Sequence, residues 1–443
     1  MSVELSQLSA TQAAQAIADG LISSEQLVQA CLDRIREIEP QVQAWQFLDE
    51  KLALAQARAR DQDRAEGRAI GVLHGIPIGI KDIIDTDDMP TEDGTSLHAG
   101  RTPTNDATVV ALLRAAGAVI MGKTVTTELA NMTPGKTRNP QNLERSPGGS
   151  SSGSAAAVAA GMVPLAIGTQ TSGSVIRPAA YCGVYGFKPT HGLISRHGIL
   201  KLSRTLDTVG LFARSLEDLA LLADPLIMHD EKDFDTRPRA RMQFPAMVKS
   251  EPPLPPSLAF VKTEVWDRAD ETTQQAFAEL IEELGERCKI IELPTSLKVA
   301  WEFQRIIAEA ETAFNLDLEW QKGQSVLSPS LRERLERGRS TSALSYQKAV
   351  AAIPKLIAEF DEVFDSFDAI ITPSTTGTAP GLDSTGDPVF CVLWSLLGMP
   401  AVNLPFMTGV DNMPLGVQLV GARLMDARLL RTAKWLQQRV SPS

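Results

Sequence analysis

The chain has 443 residues, 43% apolar and 22% charged, a balance that excludes long disorder and a small stapled scaffold and leaves room for a large core. With 43 basic against 54 acidic side chains the formal charge is −11, which disfavours nucleic acid as a partner, because binding the phosphate backbone needs clustered Lys and Arg. The four cysteines form no CxxC pair and the five histidines no HExxH spacing, so neither a disulfide framework nor a metal site is expected.

The opening residues MSVELSQLSATQ lack a basic stretch followed by an apolar run, and a cytoplasmic protein with reduced thiols is the expectation. Ser23 and Gln26 are spaced as a capping box. Leu27, Cys31, Ile35 and Ile38 then recur every three or four residues, so 24–38 reads as an amphipathic helix ended by Pro40. Residues 50–68 alternate charges with Ala and Leu, as a solvated surface helix does. The Ile-rich stretch 76–84 predicts a buried strand, 106–116 a helix and 118–121 a short strand, the alternation of an α/β protein. A Gly/Ser loop at 148–153, an Ala-rich helix at 154–160, a strand at 163–167 and a second small-residue loop at 169–174 follow.

Ser215 and Asp218 cap a helix through 223, and the Pro- and charge-rich 224–256 marks a soft boundary. Strands are predicted at 258–261 and 290–293 around a helix at 272–288, and helices at 299–316 and 344–364. Strands return at 369–371, 401–404 and 416–420 before a last helix at 426–437. There is no internal repeat.

No charged residue occurs between Arg145 and Arg177, yet the apolar part of that stretch is broken by Gly161 and Pro164 and is shorter than the ~18 to 20 residues of a spanning helix. Burial beside a reaction centre explains it better. The run Gly117 to Thr124 satisfies the phosphate-loop pattern letter by letter, but its interior is apolar and strand-forming, so it is not read as a nucleotide site. No GxSxG elbow is present, which counts against an ordinary Ser-His-Asp hydrolase.

Three features carry chemistry. Lys81 sits in the Ile-rich strand; alone it reads as an edge lysine, but burial would disfavour its ammonium form and make it a general base near neutral pH. The run Pro147-Gly-Gly-Ser150-Ser151-Ser-Gly-Ser154 has linker composition without a linker's surroundings. Thr169-Gln170-Thr171-Ser172-Gly173-Ser174 is a second small-residue loop, whose backbone amides suit an anion.

Together, Lys81, the GGSSSG run and the stretch GTQTSGSVIRPAAYCGVYGFKPTHGLISRHG resemble the amidase signature family, and the separation of Ser150 from Ser174 matches that of the family's two catalytic serines. The similarity continues through Ser203-Arg-Thr-Leu-Asp207-Thr-Val-Gly210, Asp368 to Pro373 and Gly398 to Pro405. The resemblance implies an α/β fold with a central mixed sheet flanked by helices. It makes 1–443 one amidase domain in which the divergent 225–345 shapes the substrate pocket.

By the same resemblance Ser174 is the nucleophile, Ser150 the bridging serine after a cis peptide bond, and Lys81 the terminal base. The backbone amides of Thr171, Ser172, Gly173 and Ser174 form the oxyanion hole, with Ser151, Gln170 and Arg177 as loop support. No cofactor or metal is implied. The chain departs from the family at Gln170, where Asp is usual, at Ser172, where Gly is usual, and at Ile176, where the family has the Arg found here one place later. Asn131, Met132 and Trp394 are candidate pocket residues. The expected activity is hydrolysis of an amide or carbamate bond, or an ester, in a small molecule, with no membrane partner and a homodimer allowed for. The competing readings are the glutaminase subunit of a transamidation complex and an inactive amide-binding relative.

Overall fold

The computed structural model describes residues 2–440. Its centre is one sheet of eleven strands: β1 (Trp45–Leu48), β2 (Pro77–Lys81), β3 (Val119–Thr124), β4 (Leu165–Gln170), β5 (Tyr185–Lys188), β6 (Thr208–Ala213), β7 (Leu258–Val261), β8 (Cys288–Ile291), β9 (Ala369–Pro373), β10 (Ala401–Thr408) and β11 (Pro414–Val420). Their spatial order is β1-β3-β2-β4-β6-β5-β10-β11-β9-β7-β8. The pairs β2–β3, β2–β4, β7–β8 and β7–β9 are parallel and the others antiparallel, so the sheet is mixed, as the resemblance implied. It runs unbroken across the Pro-rich connector at 224–256.

The central strands carry unbroken apolar runs because both faces are covered. Ile120, Leu165 and Ile167 pack into one core with Leu216 and Leu219, while their neighbours Val119, Met121 and Ala166 point the other way, into a second core with Val28, Leu32 and Ala155. Helices therefore flank the sheet on both sides. Among the described residues no helix is long and apolar enough to cross a membrane.

Most elements lie where the pattern places them, with shifted ends. The first long helix runs Ser24–Val42, past Pro40, which lies inside its last turn; the proline forfeits the hydrogen bond its N–H would make to the carbonyl four residues back, and the helix ends two residues later. Its capping box is formed, Ser23 accepting from the Gln26 amide. The phosphate-loop pattern is β3 itself: Lys123 is buried, donates to the Ile84 carbonyl at 2.7 Å and faces Asp82 at 3.7 Å. A P-loop lysine would be free to meet a phosphate.

Register sets up the site. β2 and β4 are parallel, with Ile80 opposite Ile167, so Lys81 and Gln170 end them at the same edge. Antiparallel β6 pairs Thr208 with Gln170, which brings Asp207 to that edge too. After β3 the chain meets the helix Ser152–Ala159: the Gly153 amide donates to the Val125 carbonyl at 2.9 Å, and a β-carbon at Gly153 would lie 2.3 Å from the Val125 nitrogen. Only glycine allows that approach.

Candidate active site

Lys81, the last residue of β2, is fully buried and forms no ion pair among the described residues. Its Nζ lies 2.7 Å from Ser150 Oγ and 2.9 Å from Thr169 Oγ1. Burial lowers its pKa from 10.5 to about 7, opposed only by the more distant negative charge of Asp207. Half or more of the side chain is then neutral in the physiological range, the form that accepts a proton.

Ser150 follows a cis peptide bond from Gly149. The Gly149 carbonyl accepts from Arg177 Nη2 at 2.7 Å and the Ser150 carbonyl from the Thr127 amide at 3.2 Å. Ser151 clasps Thr169, accepting from its amide and donating to its carbonyl, both at 3.2 Å. Arg177 is thus a prop of the Ser150 turn. Burial lowers its pKa, and its Nε and Nη1 have no partner among the described residues.

Ser174 lies in the turn between β4 and the helix Ile176–Cys182 and is half-buried, whereas Ser150 is 1% exposed. The backbone amides of Thr171, Ser172, Gly173 and Ser174 bond to no protein acceptor among the described residues, although the next three amides all do. Consecutive free N–H groups in a turn make an anion-binding concavity. Gln170 shapes it: its Oε1 accepts from the Val175 and Ile176 amides at 2.9 and 3.0 Å, and its Nε2 donates to Ser395 Oγ at 3.0 Å. A neutral amide therefore holds the turn where the family usually has a carboxylate.

Replacing Gln170 by leucine strands two buried N–H donors, each worth about 1 to 3 kcal/mol. Gln170→Leu is expected to lower unfolding stability by about 2 kcal/mol or more and to slow turnover, read by urea denaturation and kcat. A variant as stable as the parent would show that the turn holds itself.

Several contacts of the site were not assigned from the sequence. Thr169, seen only as loop, bonds to Lys81. Gln304, on the helix Ala300–Asn315, donates to Ser172 Oγ at 2.8 Å, and the Ser172 carbonyl accepts from Ser395 Oγ at 2.7 Å. Asp207 accepts from Thr171 Oγ1 at 2.6 Å and from the Leu202 and Ser203 amides at 2.9 and 2.8 Å. Burial raises its pKa, and these hydrogen bonds oppose the rise.

A cavity of about 790 Å³ reaches Thr169 and Thr171, and none of the three candidate pocket residues lies in its wall. Asn131 is buried beside the Ser150 turn, its carbonyl accepting from Thr127 Oγ1 at 2.6 Å and its Oδ1 without a partner; Met132 is 38% exposed. Trp394 is fully buried against Phe360, ring centroids 5.4 Å apart, and belongs to the core.

The Amidase family model matches residues 26–430. A glutamyl-tRNA(Gln) amidotransferase subunit of Chloroflexus aggregans is 36% identical over 98% of this chain and 97% of its own length. Among solved structures, the peptide amidase of Stenotrophomonas maltophilia superimposes with a TM-score of 0.84 at 30% identity, covering 98% of this chain and 97% of that one. A 6-aminohexanoate cyclic dimer hydrolase bound to its substrate gives 0.88 at 26% identity, covering 99% and 98%.

Proposed function

The chain belongs to the amidase family, and from that premise we propose that it hydrolyses a carbon–nitrogen bond of a small-molecule amide or carbamate through Ser174, Ser150 and Lys81, with an acyl-enzyme intermediate. The observation that carries the reading is the 2.7 Å contact from the buried Lys81 Nζ to Ser150 Oγ, at a lysine whose pKa is about 7. A serine hydroxyl is a weak nucleophile until a base removes its proton. Neutral Lys81 takes that proton through Ser150 as Ser174 Oγ bonds to the carbonyl carbon.

The negative charge then formed on the carbonyl oxygen is met by the amides of residues 171–174, each such donor being worth roughly 3 to 4 kcal/mol in the transition state. Ser150 returns the proton to the nitrogen as the carbon–nitrogen bond breaks, because an amide anion is a poor leaving group. Water enters by the same relay and frees the acid. Ester and carbamate substrates fit the same steps.

A second reading, the glutaminase subunit of a transamidation complex, is favoured by the name of the Chloroflexus relative. Such a subunit would be nearly inert alone and would copurify with another chain, whereas the proposed amidase turns over unaided. The deciding experiment is intact-mass spectrometry after exposure to a fluorophosphonate, with Ser174→Ala alongside. One adduct on the parent and none on the variant supports the reading; an unlabelled parent overturns it.

The pH dependence follows from the sign of the Lys81 shift. Below about 7 the side chain is an ammonium ion and cannot accept, so kcat/KM is expected to rise about tenfold per pH unit up to a midpoint near 7 and then level off. A flat profile from pH 6 to 9 would remove Lys81 as the titrating base.

A further inference from the structure

The 790 Å³ cavity lies within the roughly 300 to 1,000 Å³ range of sites that bury drug-sized ligands. Thr169 and Thr171 are among its lining residues, and Thr169 Oγ1 is 2.9 Å from Lys81 Nζ. The cavity therefore reaches both the turn at 171–174, through Thr171, and Thr169, a hydrogen-bond partner of Lys81 in the proton relay. In acyl transfer the departing nitrogen must take its proton from that relay, so the group expelled lies on the relay side and the acyl group away from it.

The wall chemistry says what fits. Ile199, Leu202, Phe314, Ile353 and Leu396 give it apolar surface. Six charged groups of the wall are engaged with one another or with neutral donors. Arg196 pairs with Asp233 at 2.8 Å and Asp235 at 2.5 Å, and Arg204 with Asp235 at 3.1 Å. Glu311 accepts from Ser203 Oγ, the Thr205 amide and hydroxyl, and the Tyr346 hydroxyl, and Asp207 from Thr171 and two backbone amides. These carboxylates are saturated by neutral donors. Lys201, Lys232 and Arg423 also line the cavity and are exposed, without an ion pair among the described residues; Phe314 and Phe234 line it too, at 81% and 75% exposure.

We infer that the site is built for N-substituted amides whose amine half is bulky and apolar, aryl or long alkyl, and that this half occupies the cavity. The inference rests on the acyl-transfer reading above. Ser174 Oγ bonds to the carbonyl carbon, the carbon–nitrogen bond breaks, and the relayed proton goes to nitrogen. An organic amine leaves through the cavity and the acyl-enzyme awaits water; a primary amide would release ammonia and leave the space unfilled.

The test separates this inference from the acyl-transfer reading. Ser174 labelling by a small fluorophosphonate is timed by intact mass in the presence of 2-naphthylmethylamine, methylamine or ammonium, on the parent and on Ile353→Trp, which fills the cavity. Naphthylmethylamine is expected to slow labelling of the parent at least tenfold where the two small amines do not, and to lose that protection in the variant. Turnover of N-(2-naphthylmethyl)hexanamide is expected to exceed that of hexanamide at least tenfold in kcat/KM. Labelling without selective protection, or equal turnover of the two amides, overturns the inference and leaves the amidase reading standing. No labelling at all overturns both, and the parent protein alone is enough to reach either result.

Discussion

Ser174→Ala is expected to abolish amide hydrolysis, by roughly 10⁶-fold, the scale seen when a serine hydrolase loses its nucleophile. The size of the effect follows from the absence of a substitute nearby. Ser172 Oγ is tied to Gln304 at 2.8 Å and Thr171 Oγ1 to Asp207 at 2.6 Å. Ser150 is almost fully buried and tied to Lys81. Burial pushes the Cys391 thiol up to about 12, so it is no nucleophile at neutral pH. Steady-state assays with a matched circular dichroism spectrum check the result; a variant that keeps a tenth of parental turnover would place the nucleophile elsewhere.

The centre of the fold was legible because it is buried on both faces. A strand with two covered faces is written as an apolar run, and 76–84, 118–121 and 163–167 could be placed to within a few residues. β1 and β5 carry no such signal, since Trp45–Leu48 and Tyr185–Lys188 are four residues each, too short for a period to emerge; β6, Thr208–Ala213, is buried throughout and was not assigned as a strand from the sequence. The helices Pro329–Ser340 and Val389–Leu396 escape sequence reasoning too, the second because it is apolar all round and has no amphipathic stripe.

The site divides the same way. Lys81, Ser150 and Ser174 were legible because the proposed chemistry constrains their type and spacing. Gln304 and Ser395 were not, because they bond to the turn at Ser172 across 132 and 223 positions of chain. Nothing local distinguishes a glutamine on an amphipathic helix that ends against Ser172 from one that ends in water. The departures at Gln170 and Ser172 make sense only with these partners in place. Gln170 keeps the acceptor role a carboxylate would have and gains a donor for Ser395, and Ser172 gains a hydroxyl that meets Gln304.

Lys81→Met is expected to cost about 10⁴-fold in kcat/KM, the upper range for a general base. Lys81→Arg is expected to be as inactive, because guanidinium keeps its proton throughout the accessible pH range; a role for positive charge alone would leave it active. Neither remaining buried lysine of the neighbourhood can stand in, since Lys123 donates to the Ile84 carbonyl and Lys188 to that of Pro189. Stability is expected to move against activity. The folded pKa of Lys81 is about 7 against an ordinary 10.5, so the unfolded chain binds the extra proton between those values. Lys81 therefore penalises the fold fully below pH 7, and the penalty fades as pH rises to about 10.5. Lys81→Met should then raise Tm relative to the parent most at acidic pH, with the gain shrinking through that window. A dead variant that was also less stable at every pH would assign Lys81 to the scaffold of the turn rather than to proton transfer.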